Sequence, residues 1–376
     1  TFLGTATVLT AGTWHHVVGT YDGSVVKVFI DGVEDSNTWS KTADITAPPP
    51  PEDHVWIGHG DQPTDVGWSA EWQGEIDEVR ISNVARSTCW IQTQYNNQST
   101  ATSITLGPEE AINFEHRRQL ILNYSQRGAA CGESYDLSSF PALISLSGDW
   151  LRTTANGGNI YSADGYDIVF RASDRITTLD HEIEKYDGSA EGGSLIAWVK
   201  IPDLFSGNAD TTIYIYYGNS KVTTATENPG GVWDDNYVAV YHLKETSGIH
   251  YDSTGNDNDS TSVNVATQGS ATGKIDGADD FNGTSSQINI GDKDSQHITS
   301  AITIEAWIDP DDLTTSKGRI VTKSDERYVL RTSNASSGEL EAYIDDGTFK
   351  HAQKTGILNT SGYQYVAMTW ASSGTA

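Results

Sequence analysis

The sequence predicts an all-β protein, and three observations support this. Short runs of alternating β-branched and aromatic residues recur along the chain, for example at residues 25–30, 213–217 and 302–308. Turn residues, mainly Gly, Asp, Asn and Pro, follow these runs closely. Helical signals are scarce, and only residues 89–95 favour a short helix. Period-two runs separated by frequent turns are typical of antiparallel sandwiches and jelly rolls.

The composition and the strand pattern of the sequence change twice, which divides the chain into three regions. Residues 1–111 carry short strands, a run of four prolines and the helix, and end in a polar connector. Residues 112–243 hold longer strands rich in Tyr and Ile. Residues 244–376 begin with a stretch rich in Gly, Asp, Asn and Ser. A chain of 376 residues is long enough for two or three domains, each with its own core.

The charge of the chain excludes some partners. Fifty-one acidic residues against 23 basic ones give a formal net charge of −28. Phosphate-driven binding needs a Lys/Arg surface, so we expect no nucleic acid partner. The carboxylates suit hard cations, a saline exterior or simply a solvated surface. There is no apolar run of about 18 residues, which predicts that the chain does not insert into a membrane.

One motif occurs near both ends of the sequence. Residues 12–23 and 361–372 share a glycine followed by an alternating strand that contains Trp or Tyr. A repeat met at both ends predicts that the sequence starts inside one module and finishes inside another. We therefore expect a window on a tandem array or on a head-to-tail polymer.

Two sets of motifs stand out in the outer regions. The first set is WHHVVGTYDG (14–23), VFIDG (28–32), IG (57–58) and GEIDEVRISN (74–83), and the second is YDSTGN (251–256), GADDFNG (277–283) and IEAWI (304–308). They resemble the late and the early half, respectively, of the laminin-G-like, concanavalin A-like jelly-roll family. That resemblance implies a sandwich of two β-sheets.

The middle region has motifs of its own. They are FPALI (140–144), ANGG (155–158), DGYDIVF (164–170), LDHEIE (179–184), WVKIP (198–202) and YYGN (216–219). They resemble an uncharacterised bacterial and archaeal surface domain that commonly precedes such jelly rolls. The predicted organisation is a late jelly-roll half at 1–111, a central β-sandwich of unknown function at 112–243, and an early half of a second jelly roll at 244–376.

The jelly-roll resemblance implies a structural Ca²⁺ site. Carried onto this sequence, it proposes Asp252 and Asn256 from the turn at 251–259 and Asp77 from the strand at 75–81. An Asp/Asn/Gly turn offers the several oxygens that Ca²⁺ requires. The alternative is an ordinary Asx-rich turn with solvated carboxylates.

Acidic and histidine motifs give little support for an enzyme. Alternation places Glu75, Asp77 and Val79 on one strand face, and the third same-face acid of glucan hydrolases is missing. The adjacent His15 and His16 point to opposite faces and are expected to have cross-strand partners. The carboxylates of residues 180, 182 and 184 share one face, for which we predict a solvated edge, with a second cation site as the alternative.

Tryptophan suggests a second kind of site. Trp39, Trp68 and Trp72 lie in polar, loop-like surroundings, where exposed indoles could stack on sugars. The tryptophans inside alternating runs, at positions 14, 198, 307 and 370, are expected in the core.

Cysteines and sequons are typical of an extracellular protein. Cys89 and Cys131 are the only two cysteines, and we expect a disulfide between them, with two buried free thiols as the alternative. Six Asn-x-Ser/Thr sequons are possible glycosylation sites: Asn97, Asn123, Asn258, Asn282, Asn334 and Asn359.

These inferences predict a non-enzymatic structural repeat unit of an extracellular surface or filament protein. Its jelly rolls would be calcium-stabilised and its neighbouring copies joined head-to-tail; a carbohydrate-binding adhesin module is the alternative. If the two outer regions joined, strands 14–21 and 363–370 would compete for one position. We therefore expect the last region to be completed by strands outside this copy.

Overall fold

The structure is a computed structural model of the 376-residue chain. The following account covers residues 9, 12–36, 38–40, 55–59, 72–100, 104–110, 114–129, 131, 137–313, 318–323, 327–332, 339–345, 349–354, 358 and 362–371.

Strands dominate these residues, as predicted for an all-β protein. The first part of the chain holds β1 (Gly12–Tyr21), β2 (Val25–Ile30), β3 (Val33–Glu34), β4 (Trp39–Ser40), β5 (Val55–Ile57), β6 (Gln73–Ser82) and helix α1 (Thr88–Ser99). The middle part holds β7 (Ile104–Glu110), β8 (His116–Leu122), β9 (Leu137–Ser147), β10 (Val169–Arg171), β11 (Thr178–Leu179), β12 (His181–Asp187), β13 (Ser194–Leu204), β14 (Thr211–Tyr217) and α2 (Pro229–Val232). The last part holds β15 (Tyr237–Tyr241), β16 (Ser262–Asn264), β17 (Thr267–Thr272), β18 (Gly277–Asn282), β19 (Gln287–Gly291), β20 (Ala301–Pro310), β21 (Arg319–Lys323), β22 (Tyr328–Thr332), β23 (Leu340–Asp345), β24 (Phe349–Lys354) and β25 (Gly362–Ala371).

Helix α1 is the helix that the sequence predicts. Its first turn is capped by Ser87, whose side-chain oxygen accepts the backbone N–H of Trp90 at 3.2 Å. A serine at this place satisfies one of the amides that have no partner within the helix. None of the described helices is long and apolar enough to cross a membrane.

The chain forms two compact units. One, the jelly-roll unit, combines residues 1–91 with 235–376, and the other, the central unit, is residues 92–234. The predicted boundaries are therefore displaced. Residues 237–241 form β15, which pairs with β6 of the jelly-roll unit, whereas β7 pairs with β8 of the central unit.

The prediction that strands outside this copy complete the last region is wrong for this structure. Strand β6 from the first region pairs with β15, β18 and β20 from the last, and β5 pairs with β19 and β21. Strands of the first region, the late jelly-roll half, thus pair with the open edges of strands of the last region, the early half, within the same chain. Unpaired edges and a half-built core would otherwise remain exposed.

The jelly-roll unit is built from two sheets. One has the order β17-β18-β6-β20-β25/β1-β2-β3, with β15 beside β6 and β4 beside β2, and the other has the order β16-β19-β5-β21-β22-β23-β24. Apolar side chains from both sheets share one core. Val17, Ile76 and Ile304 come from the first sheet, and Ile57 and Leu330 come from the second.

Strands β1 and β25 take the same place beside β20. His15 and Gln364 both oppose Ile308, and His16 and Tyr365 both oppose Trp307. Strands β1 and β25 correspond residue by residue through most of their length. Both therefore match the same position beside β20. That they compete for this position stays a prediction.

The central unit contains a five-stranded sheet with the order β11-β10-β14-β8-β7 and a three-stranded sheet with the order β12-β13-β9. Side chains of both sheets are buried, among them Leu120 and Ile213 in the first and Ala142 and Trp198 in the second. In β14, Ile213 alternates with Tyr214, so the five-stranded sheet has buried residues on both faces.

Candidate functional sites

The proposed calcium ligand Asp252 lies in the turn after β15. Its Oδ1 accepts the backbone N–H groups of Val240 at 2.9 Å and Thr254 at 3.0 Å. Its Oδ2 accepts the Thr254 hydroxyl at 2.8 Å and the backbone N–H of Asn258 at 2.9 Å. The carboxylate therefore closes its own turn.

The other two proposed ligands also make structural hydrogen bonds. Asn256 donates its amide to the backbone carbonyls of Tyr237 and Val238, at 3.0 and 3.1 Å. Asp77 lies in β6, and its Oδ2 accepts the backbone N–H groups of Lys274 and Ile275 at 2.9 and 3.3 Å. Ca²⁺ requires six to eight oxygens, whereas Asp252 is surrounded by donors. The three residues do not fit a calcium ion in this arrangement. The alternative, an Asx-rich turn with solvated carboxylates, agrees only in its turn, because Asp252 and Asp77 are buried.

A buried histidine holds the same part of the jelly-roll unit together. His250 contacts Glu245 through Nδ1 and Asp279 through Nε2, both at 2.7 Å. Burial alone would lower the pKa of His250, but these two carboxylates raise it to about 9. Burial raises the pKa of Asp279 in spite of the imidazolium. The histidine therefore acts as a cationic bridge between two carboxyl groups.

A larger ionic network crosses the first sheet of the jelly-roll unit. Arg80 in β6 donates to Glu78 at 2.8 Å and lies 3.6 Å from Glu305 in β20. Glu78 also contacts His242 at 2.7 Å, and Glu305 accepts the hydroxyl of Tyr365 at 2.5 Å. These side chains are buried. Burial would raise the pKa of Glu78, but His242 and Arg80 lower it below its ordinary value.

Sequence analysis missed this network because Glu78 breaks the alternation of β6. Its backbone is left-handed, with φ of 54°. As a result Ile76, Val79 and Ile81 all enter the core, although simple alternation placed Ile76 and Val79 on opposite faces.

The suspected enzyme signature becomes a row of carboxylates. Glu75 lies directly between Asp280 on β18 and Asp309 on β20, and Asp311 follows β20. Burial and then its acidic neighbours raise the pKa of Glu75 to about 8, and burial followed by Asp311 raises that of Asp309 to about 7. We call these four residues the acidic row.

The histidines of β1 differ in their surroundings. His15 contacts the Asp31 carboxylate at 2.7 Å, and burial lowers the pKa of this histidine. His16 is fully buried, its Nε2 lies 3.9 Å from Glu305, and burial followed by the charge of Arg80 lowers its pKa.

The predicted solvated edge of the central unit is wrong. Glu182 and Glu184 are buried in β12. Glu184 accepts the indole N–H of Trp198 at 2.6 Å, and Glu182 accepts that of Trp233 at 3.1 Å. The indole rings themselves lie 5.4 Å apart. A buried carboxylate needs a donor, and here tryptophan supplies it.

The three proposed sugar-binding tryptophans do not share one environment. Trp72 belongs to the core of the jelly-roll unit and is 1% exposed, so it cannot stack on a sugar. Its backbone pairs with Gly58 and Gly283, which draws this segment inward. Trp39 is in the short edge strand β4, beside Val26. Trp68 lies outside the described residues.

Both cysteines are buried, and neither is free. Each is disulfide-bonded in the structure. The Sγ of Cys131 lies 3.6 Å from the Thr93 hydroxyl. Intact mass before and after reduction would test the predicted bond in solution.

The sequons are placed in different environments. Asn258 is fully buried and donates to the carbonyl of Val238, so the folded chain does not offer it for glycosylation. Asn97 exchanges hydrogen bonds with the backbone of Leu143. Asn123 accepts the hydroxyl of Thr105, and Asn282 is exposed. Asn334 and Asn359 lie outside the described residues.

Comparison with known protein families agrees with this architecture. Residues 1–92 and 282–376 match the model of the concanavalin A-like lectin/glucanases superfamily. Residues 164–262 match a domain of unknown function, DUF2341. Both resemblances inferred from the sequence are thereby confirmed. None of the curated proteins and none of the solved structures matches the chain.

Proposed function

We propose that the chain is a non-enzymatic structural repeat unit of an extracellular surface or filament protein. The observation that carries this proposal is the shared position of β1 and β25 beside β20. A jelly roll that needs one strand there meets two versions of it in the same chain. Duplicated structural segments are the signature of repetitive assemblies.

The chemistry of the candidate sites supports a structural role. Asp252, His250, Arg80 and Glu184 each form polar contacts that connect strands or close turns. Retaining hydrolysis pairs two carboxyl groups about 5 Å apart, one as acid and one as nucleophile. The strand at residues 75–81 lacks the third same-face acid of glucan hydrolases.

Point substitutions test whether β1 and β25 are interchangeable. Val17 and Val366 are equivalent buried positions of the two strands. Val17→Asp alone and Val366→Asp alone should each leave the melting temperature of the jelly-roll unit nearly unchanged, because the other strand takes the position. The double variant should unfold. Ile304→Asp in β20, which has no duplicate, is the matched control and should be severe by itself. Equal damage from each single variant and from the pair would contradict the idea.

Assembly tests the function itself. Concentrated protein should form linear oligomers in electron micrographs and by light scattering, and a panel of polysaccharides should show no hydrolysis. Strict monomers, or turnover of a polysaccharide, would overturn the proposal.

A carbohydrate-binding adhesin module remains the second candidate, because the superfamily that matches the outer segments includes lectins. Trp39 and Trp68 are its remaining tryptophans. Saturable binding on a glycan array that is lost in Trp39→Ala or Trp68→Ala would favour this function.

The calcium prediction has a direct test. Since Asp252 accepts four hydrogen bonds from the chain itself, Asp252→Ala should lower the melting temperature equally with Ca²⁺ and with EDTA. The expected loss is about 3 kcal/mol, the cost of unsatisfied buried donors. A stabilisation by Ca²⁺ that Asp252→Ala or Asp77→Ala abolishes would instead establish the ion as a ligand.

A further inference from the structure

The turn between β18 and β19 presents a sequon at the surface of the jelly-roll unit. Asn282 is the last residue of β18 and is exposed, whereas the preceding Phe281 is fully buried. Side chains alternate along a strand, so the carboxamide of Asn282 points away from the core. Asn282, Gly283 and Thr284 form an Asn-x-Thr sequon, which is the acceptor sequence for N-linked glycans.

The hydrogen bonds of this turn hold the oxygen of the carboxamide and leave its nitrogen at the surface. The Oδ1 of Asn282 accepts the backbone N–H groups of Thr284 and Ser285, both at 2.9 Å, and that of Ser286 at 3.1 Å. It also accepts the hydroxyl of Thr284 at 3.1 Å. These bonds form an Asx turn. The Nδ2 of Asn282 donates to the exposed hydroxyl of Ser285 at 3.2 Å, so the atom that would receive a glycan is accessible.

The middle residue of the sequon anchors the turn through its backbone. Gly283 has a φ of 69°, and a Cβ at this position would lie 2.7 Å from the Cβ of Gln73 on β6. Glycine adopts such a φ without strain and has no Cβ. The N–H of Gly283 donates to the carbonyl of Trp72 at 3.1 Å. A substituent on the side chain of Asn282 would leave this anchor intact.

The turn lies beside two edge strands of the jelly-roll unit. Strand β18 belongs to the first sheet, in which its neighbour β17 is at the edge, and β19 belongs to the second sheet, in which its neighbour β16 is at the edge. Asn264 of β16 donates to the carbonyl of Ser285 at 2.9 Å. A bulky, solvated glycan at this place would cover the two edges and hinder their pairing with another chain.

The other described sequons are less accessible. Asn258 is fully buried, and its Nδ2 donates to the carbonyl of Val238 at 2.7 Å. The Nδ2 of Asn97 donates to the carbonyl of Leu143 at 3.0 Å, which joins helix α1 to β9. Asn123 follows β8 and is partly buried. A glycan on Asn97 or Asn258 would have to replace a hydrogen bond that holds the fold together.

We propose that Asn282 carries an N-linked glycan in the extracellular protein. The transfer joins Nδ2 to the anomeric carbon of an oligosaccharide, and the bond from that carbon to the phosphate of a lipid-linked donor breaks. The phosphate leaves with the bonding electron pair, and a base of the transferase accepts one proton from Nδ2. This inference rests on the proposed function, because sequons are glycosylated in secreted proteins.

Glycan transfer to the folded full chain tests the site. The purified chain is incubated with a lipid-linked oligosaccharide and a single-subunit oligosaccharyltransferase that modifies separate peptides of all six sequons. Mass spectrometry of the intact chain and of its peptides then locates the glycans. Occupancy at Asn282 should exceed that at Asn97 and Asn258 by about tenfold or more, since those two must first lose hydrogen bonds through local opening.

Variants of the sequon separate recognition from folding. Thr284→Ala should abolish transfer to Asn282, and Thr284→Ser should restore it, because the hydroxyl returns. Asn123→Gln is the matched control and should leave the occupancy at Asn282 unchanged. Melting curves of the variants show that each is folded. A bare Asn282 in the folded chain, or equal occupancy of Asn258 and Asn282, would overturn the proposal.

The chain isolated from the cells that produce it distinguishes the site from the location. The expected result is a glycan on the peptide that contains Asn282 in the exported chain. An exported chain with a bare Asn282 would overturn the glycan site and leave the extracellular function standing. A chain found solely inside the cells would overturn the extracellular function and the proposal with it.

Discussion

The jelly-roll unit and the central unit bury carboxylates in different ways. In the jelly-roll unit, Glu78 is paired with a cation, Arg80. In the central unit, Glu184 receives a neutral indole donor from Trp198. The pairing of Glu78 depends on charge, whereas the indole N–H that Glu184 accepts does not titrate. We therefore expect the jelly-roll unit to respond more strongly to pH and to single charge deletions.

Removal of Arg80 should have the largest effect. Arg80→Met removes the cation beside Glu305 and leaves Glu78 with His242 alone, which should lower the free energy of unfolding of the jelly-roll unit by about 3 to 5 kcal/mol. Denaturant unfolding measures the loss. The combined variant Arg80→Met, Glu78→Gln and Glu305→Gln should recover most of it, because no unpaired charge remains. A loss below about 1 kcal/mol in the single variant would show that the network is not a charge network in solution.

The His250 bridge should make the jelly-roll unit sensitive to alkaline pH. The folded pKa of about 9 lies above the ordinary value of 6.5. The bridge therefore contributes fully below about pH 6.5 and is lost as the pH rises through 9. The stability gap between wild type and His250→Gln should be about 3 kcal/mol at pH 6 and close to zero at pH 10. His297→Gln, at a partly exposed histidine paired with Asp292, is the control and should change little. A gap that is constant with pH would refute the bridge.

The indole donor of the central unit should be worth less. Trp198→Phe retains most of the ring and removes the N–H donor to Glu184, at a cost of about 2 kcal/mol. Trp198→Phe in a Glu184→Gln background is the double-mutant test, and a fully additive result would exclude the interaction.

The smallest expected effect is a gain in stability at the acidic row. The pKa of Glu75 is raised from 4.5 to about 8, so its ionisation opposes folding as the pH rises through that range. Glu75→Gln should raise the melting temperature at pH 8.5 and leave it unchanged near pH 4. Since Glu75 is only half-buried, we expect less than about 1 kcal/mol. Lower stability at pH 8.5 would contradict the assignment.

Local sequence patterns were enough to predict strands and the helix, whereas the sites depend on pairing between residues that are far apart in the sequence. Alternation identified the strand at residues 25–30, and the repeated motif identified the duplicate strands. The ionic network joins residues 78, 80, 305 and 365 across separate strands, so it depends on register that no local window contains. The left-handed backbone of Glu78 interrupts the alternation of β6, from which a prediction of the network would have started.

Environment also overruled composition in two places. Trp72 stands among polar neighbours in the sequence, yet backbone pairing with Gly58 draws it into the core. The carboxylate of Asp252 is of a type that binds cations, but the backbone N–H groups of Val240 and Asn258 donate hydrogen bonds to it. Side-chain type thus indicated which residues could form polar contacts, and the surrounding backbone determined which partners they have.

Strands β1 and β25 match one position beside β20, yet they differ opposite Trp307, where β1 carries His16 and β25 carries Tyr365. We expect an exchange of the two strands to change the end of the buried ionic network, from an imidazole near Glu305 to a phenol that donates a hydrogen bond to it. If either strand can take the position, a damaging substitution in one of them would be tolerated while the other is intact.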